Sequence, residues 1–239
     1  MINESAGTLE SYLRIVDRHH KAGWIYRGVS DKTHALVPKI GRPQFHQHYS
    51  LKTEQLLLRT FKQRAIRHVS PQPTSALEWL ALGQHHGLPT RLLDWSYSPL
   101  VALYFAVSSN PGLDAAVYGR HMPRGTNTFD PFKIRTAQKY YPPHFSPRIP
   151  AQHALFTVEP DPTKAPRIRG LVKVLVPSAA KADLRVRLSL LGFHDEAMFP
   201  DLDGTCAHLT WRLSNSQGAW PTNTRRPTTR MSRRRMTPP

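Results

Sequence analysis

Residues 84–95 read QHHGLPTRLLDW, and the reading of this stretch organises what lies on either side of it. Gly87 and Pro89 stop a helix, and the short apolar piece after Thr90 is extended. Upstream, Ser75 and Glu78 stand at capping-box spacing, so a helix opens there and ends at Gly87. Downstream, Ser98-Pro99 supplies an N-cap and a first-turn proline. The helix they start carries Leu100, Leu103, Tyr104 and Val107 on one face, and Gly112 closes it. Gln84, His85, His86, Thr90, Arg91, Asp94 and Trp95 therefore crowd into one helix end, one turn and one strand. Two readings are open for them. They form a ligand site, or they form a structural network in which Arg91 pairs with Asp94 and Thr90 bonds the backbone.

Outward from this centre, Leu9, Tyr12, Leu13 and Val16 recur at helical spacing and predict a helix over 5–18. Trp24-Ile25-Tyr26 starts a strand that runs into Arg27-Gly28. A long helix spans 51–69, with Leu58, Phe61, Ala65 and Val69 on one face. Segments 115–119 and 171–176 read as strands, the latter from its alternation and β-branching. Residues 120–168 are rich in proline and weakly periodic; they are expected to wrap the surface, anchored by Phe132, Tyr140, Tyr141 and Phe145. A helix ending near Gly192 follows, then GFHDEAMFPDLDG, in which Asp201 or Asp203 caps a last helix with Leu202, Cys206, Leu209 and Leu213. The expected fold is α+β, with helices on a small, mostly antiparallel split sheet built from strands near 24–28, 90–94, 115–119 and 171–176. Residues 1–22 are read as an N-terminal helix packing on a domain over 23–215, and 216–239 as a disordered, arginine-rich tail.

The net charge is +17, and the last fifteen residues carry six arginines and no acid. Without those six the remainder stands near +11, a surface that attracts polyanions, so nucleic acid is a candidate partner. No run reaches the roughly 18 apolar residues of a membrane span, and the N-terminus has no signal-peptide pattern, so a cytoplasmic protein without a membrane partner is expected. Cys206 is the single cysteine, which excludes an internal disulfide. The adjacent pairs His19-His20 and His85-His86 point their rings apart, and His46 and His48 lie in a polar loop without an acid. No HExxH spacing, G-x-S-x-G elbow or GxxxxGK[ST] loop is present, so neither a metal nor these reaction classes is expected. Asp195, Glu196, Asp201 and Asp203 form the only acidic cluster, which a capping role explains more simply than a metal nuclease.

QHHGLPTRLLDWSYSPLVALYFA resembles the signature of the FRG domain family, whose members read Q-H-aromatic-G-L-P-T-R-L-L-D-W. The aromatic-Arg-Gly triplet that names the family stands at Tyr26-Arg27-Gly28. Further matches are LVPKIGR (36–42), PRIPAQHALFTV (147–158) and MFPDLDG (198–204). His86 departs from the usual aromatic and Ala154 from a commoner glycine. A second likeness, in residue order, is to arginine-type ADP-ribosyltransferases, and it suggests an ADP-ribosyltransferase-like fold with NAD as substrate.

That likeness implies Arg27 as the NAD phosphate or ribose ligand. It makes Gly28 the point of close backbone approach, and Ser98, Tyr104 and Phe105 the nicotinamide pocket. Glu196 is the late carboxylate that stabilises the ribosyl cation. Gln84, His85, Thr90, Arg91 and Asp94 complete the cofactor-binding set. On this reading the chain is an NAD-consuming transferase or glycohydrolase, acting as a toxin or phage-defence effector; the alternative is a non-catalytic ligand- or nucleic-acid-binding module. Structural roles compete for each residue: an ion pair of Arg27 with Asp94 or Asp201, core packing for Tyr104 and Phe105, and helix capping for Glu196.

Overall fold

The computed structural model describes residues 1–215, so the tail read at 216–239 lies outside the described residues. Among the described residues, seven strands run in chain order: β1 (Ile2–Ser5), β2 (Trp24–Val29), β3 (Leu92–Ser96), β4 (Ala115–His121), β5 (Gln138–Tyr140), β6 (Ala154–Val158) and β7 (Val172–Val176). The helices between them are α1 (Leu9–His19), α2 (Pro43–His46), α3 (Leu51–Ala65), α4 (Ala76–His85), α5 (Pro99–Val107), α6 (Arg148–Ala151), α7 (Ser178–Leu190), α8 (Asp195–Met198) and α9 (Leu202–Asn215).

The strands form one sheet in the order β1-β7-β4-β2-β3-β6-β5, antiparallel except for the β1–β7 edge. It is an α+β fold on an open, mostly antiparallel sheet. β2 and β4 pair along their length, from Trp24 with His121 to Val29 with Ala116, and β3 and β6 likewise pair from Leu92 with Val158 to Ser96 with Ala154. By contrast, β2 and β3 share a single register pair, Tyr26 with Ser96. Beyond that pair the two strands part, and a cavity lies over this seam.

Side-chain alternation along the strands sorts the core into faces. Because Tyr26 and Ser96 are register partners, Leu92, Asp94 and Ser96 share the face of Trp24 and Tyr26. On that face, α1, α5 and α7 pack over β2, β4 and β7, burying Tyr12, Leu103, Tyr104, Val117, Val174, Leu184 and Leu188. α3 and α4 pack over β3, β5 and β6, burying Leu58, Leu77, Leu80, Leu92, Tyr140 and Val158. The opposite face carries Ile25, Val29, Leu93, Trp95, Ala116, Tyr118 and Leu155 beneath Leu36 and Leu171. Burying a side chain of this size contributes about 1.5–3 kcal/mol, so these clusters dominate the stability.

Three local signals act as read. Ser75 Oγ accepts the Glu78 amide at 3.2 Å and donates to its carboxylate. Ser98 Oγ accepts the amide of Val101, with Pro99 in the first turn of α5. Asp201 accepts the Gly204 amide at 2.9 Å at the entry to α9.

Four expectations need correction. The first helix starts at Leu9, capped by Thr8, because residues 2–5 pair instead with β7 as a parallel edge strand. The third strand runs from Leu92 to Ser96, with Thr90 and Arg91 turned into buried hydrogen bonds before it. The long helix gives up α geometry at Ala65, and residues 66–68 form a tighter turn. The segment 120–168 contains β5, α6 and β6, and β6 sits inside the sheet beside β3. It is anchored through Tyr140, which is fully buried, and Phe132, whereas Phe145 is exposed.

Candidate functional site

A cavity of about 390 Å³ opens over the β2–β3 seam, between α4 and α5. Its floor is Tyr26, Arg27, Gly28, Trp95 and Ser96; its walls are Gln84 and His85 from the end of α4, Phe105 from α5, Phe145, Arg148 and Gln152 from α6 and its approach, and Phe199 after α8.

The motif places these groups through its own backbone. Gly87 adopts φ +89°, and the Leu88 amide turns back to the Gly83 carbonyl at 2.8 Å, closing α4 in the manner of a glycine C-cap. Thr90 donates its hydroxyl to Gln84 Oε1 and accepts the Leu92 amide. Gln84 Nε2 donates in turn to Asp94 Oδ1 at 2.5 Å. Arg27 spans the seam, and its Nη1 donates to the Asp94 carbonyl at 2.7 Å and to Oδ2 at 3.2 Å. The chain Thr90–Gln84–Asp94–Arg27 thus holds both carboxylate oxygens of a half-exposed aspartate in one orientation. Arg27 Nε is buried with no protein acceptor.

Arg91 works elsewhere. It is fully buried and meets Glu54 with two parallel bonds, Nε to Oε1 at 2.9 Å and Nη2 to Oε2 at 2.7 Å. Its Nη1 donates to the Pro131 carbonyl, and its guanidinium lies 4.8 Å over Phe132. Burial pulls the Arg91 pKa down, but the bonds to Glu54 outweigh it and the net shift is upward. The expected pairing of Arg91 with Asp94 is therefore replaced by two separate pairs, Arg91–Glu54 and Arg27–Asp94.

The far wall is pinned similarly. Arg148 forks onto Asp201 Oδ2 at 2.5 and 3.1 Å and lies 5.1 Å over the Phe199 ring. The Ser96 hydroxyl donates to the Gln152 carbonyl at 2.8 Å, and Gln152 Nε2 donates to the Met198 carbonyl. The His85 ring lies 2.9 Å from Ser146 Oγ, which also accepts the Arg148 amide, so this pair ties α4 to α6. Burial first, then Arg148 and His86, push the His85 pKa below its usual value.

Arg27, Gly28, Gln84, His85, Asp94 and Phe105 come together at the cavity. Thr90 stands behind Gln84, and Ser98 is spent on its cap. Gly28 lines the cavity, and a Cβ on it would lie 1.8 Å from the Ala102 carbonyl oxygen, so its lack of a side chain also lets α5 approach β2. Tyr104 is buried in the core, its hydroxyl donating to Asp195 at 2.9 Å, and burial pushes its pKa far up. Glu196 is exposed, accepts the Thr205 hydroxyl at 3.4 Å, and is not among the lining residues. Asp94 is the one carboxylate in that lining.

Sequence reasoning passed over His34, Arg148, Gln152 and Phe199 as site residues. The strings 147–158 and 198–204 held the signal for the last three. It also passed over a group assembled by the fold: His194, Glu196 and His208 offer donor atoms within 4.8 Å of one another. Among the described residues, no helix is long and apolar enough to cross a membrane.

Residues 22–114 match the model of the FRG domain family. The likenesses read at 147–158 and 198–204 lie beyond the matched residues, although β6 and β7 complete the same sheet. No curated protein and no solved structure matches the chain.

Proposed function

We propose, from the FRG domain at residues 22–114, that the seam cavity binds a nucleotide, NAD foremost, and that Asp94 serves its turnover. One observation carries this reading: Arg27, Gln84, His85, Asp94 and Arg148 converge with the rings of Phe105, Phe145 and Phe199 on one cavity. Its volume lies within the ~300–1,000 Å³ usual for small-molecule sites. Aromatic walls suit a planar base, and guanidinium and imidazole groups suit ribose and phosphate oxygens.

Arg27 lines the cavity, and its guanidinium is a cationic group there that would meet a phosphate or ribose oxygen. Asp94, oriented by Gln84 and Arg27, is placed to stabilise positive charge developing on the ribose as the nicotinamide N-glycosidic bond breaks. In that step nicotinamide leaves with the bonding electron pair. Water, passing a proton to Asp94, or a nucleophile of a target, closes the ribosyl carbon. This reading moves the late carboxylate from Glu196 to Asp94.

Incubation of the full chain with NAD, followed by chromatographic detection of nicotinamide, tests the catalytic part. Release by wild type and its loss in Asp94→Asn, with Glu10→Gln, at an exposed residue outside the cavity lining, still active, supports the assignment. Binding of NAD without any release confines the site to ligand recognition, and no binding ends the reading.

A further inference from the structure

We propose that His194, Glu196 and His208 form a zinc site that clamps α8 to α9. His194 caps α8, Glu196 lies in its first turn, and His208 reaches the same point from α9. The three donors lie within 4.8 Å of one another. The two elements are in backbone contact, since a Cβ on Gly204 would lie 1.8 Å from the Phe199 carbonyl oxygen.

His208 is 6% exposed, and its Nδ1 has no hydrogen-bond partner. A buried ring nitrogen with nothing to bind is unusual in a folded protein, and a metal ion supplies the missing partner. The His194 and His208 rings are stacked, with centroids 4.1 Å apart and planes 21° from parallel, so a turn of the less buried His194 ring is needed to aim both nitrogens at one ion. What the other two ligands must release is slight. His194 Nδ1 accepts a long bond, 3.4 Å, from the Ala197 amide, and Glu196 accepts an equally long one from Thr205. The neighbouring Asp195 does not compete, because it is committed to Tyr104 and Arg185.

Donor chemistry selects the ion. Two imidazoles and a carboxylate match the ligand set of zinc, whereas calcium and magnesium want oxygen alone. Around a tetrahedral zinc with bonds of ~2.0–2.2 Å, donors sit about 3.4 Å apart. Rotation of exposed Glu196 and of the two rings closes the remaining gap. Three protein ligands leave a fourth position for water. Because Met198 and Phe199 follow directly, the ion would also hold the Phe199 wall of the cavity. The inference does not rest on the nucleotide reading.

The test uses the full chain, stripped with chelator and titrated with Zn²⁺ by calorimetry and with Co²⁺ by visible absorption. The expected result is one ion per chain, the absorption of a tetrahedral cobalt site, and a rise in Tm with Zn²⁺. Glu196→Gln and His208→Ala should each weaken binding by about tenfold or more. A double variant of His46 and His48 should leave it unchanged. Should His208→Ala fail to fold, Glu196→Gln, at an exposed side chain, decides alone. The proposal is overturned if wild type takes up no stoichiometric ion, or if Glu196→Gln binds as tightly as wild type.

Discussion

Arg27 on β2 and Asp94 on β3 bridge the one place where two neighbouring strands of the sheet part, with a side chain substituting for the missing backbone ladder. A seam in a sheet exposes unpaired backbone groups. Here the Asp94 carbonyl is satisfied by guanidinium, so the opening is stable and leaves room for a ligand. The Tyr26-Arg27-Gly28 triplet and the central motif meet at this bond: one supplies the arginine, the other the aspartate and the glutamine that steadies it.

The Arg91–Glu54 pair tests whether the second arginine of the motif is structural. Both side chains are 1% exposed, so removing one partner strands a buried charge. Glu54→Gln is expected to cost about 3–5 kcal/mol in denaturant unfolding. The double change Arg91→Met with Glu54→Leu should recover much of that loss. Ligand binding by the refolded double variant should stay close to wild type, since neither residue lines the cavity.

Gly28 is expected to fail through packing. The Cβ of Gly28→Ala would collide with the backbone of α5 at Ala102 and Ala106. Overpacking of this kind costs about 1–3 kcal/mol or more. A lower denaturation midpoint, with ligand affinity of the remaining folded protein little changed, is the expected pattern. Unchanged stability with lost affinity would instead return Gly28 to the ligand.

His85 predicts a pH dependence with a definite sign. Its pKa is depressed by burial, then by Arg148 and His86. As pH falls through the ordinary imidazole range near 6.5, the unfolded chain takes up a proton before the folded one does, so stability is lost until the folded pKa is passed. Urea unfolding at about pH 7.5 and about pH 5.5 should show a smaller acid loss for His85→Gln than for wild type. Equal losses in both proteins would contradict this.

Much of the helical framework was legible because its signals are local: Ser75 with Glu78, Ser98 with Pro99, Asp201 before Gly204. The strands read near 24–28, 115–119 and 171–176 correspond to β2, β4 and β7 and were legible, the last from its alternation and β-branching and the others from short apolar runs. β5 and β6 were not, since ALFTV is short, lies among prolines, and becomes a strand only by pairing with β3. β1 was hidden for the same reason, because its partner is about 170 residues away. Of the site, Arg27, Gln84, His85 and Asp94 were legible from residue type and crowding. Arg148 and Phe199 lay inside strings that carried a signal, 147–158 and 198–204, but their meeting at the cavity is set by the long-range fork of Arg148 onto Asp201 and its stacking over Phe199, which no local pattern shows. Tyr104 was drawn toward the pocket by its chemistry, while its position on the buried face of α5 already spoke for the core.

The central claim is that the seam cavity binds a nucleotide. Ala154 lines it from β6 and is partnered with Ser96 in the sheet, so Ala154→Phe fills the space while leaving Arg27 and Asp94 in place. Calorimetric titration of NAD and ADP-ribose into wild type and Ala154→Phe tests the claim most directly. Saturable binding by wild type, weakened about tenfold or more (~1.4 kcal/mol) in a variant of similar Tm, is the predicted result. No binding of either ligand by wild type, or equal affinity in the filled variant, would contradict it.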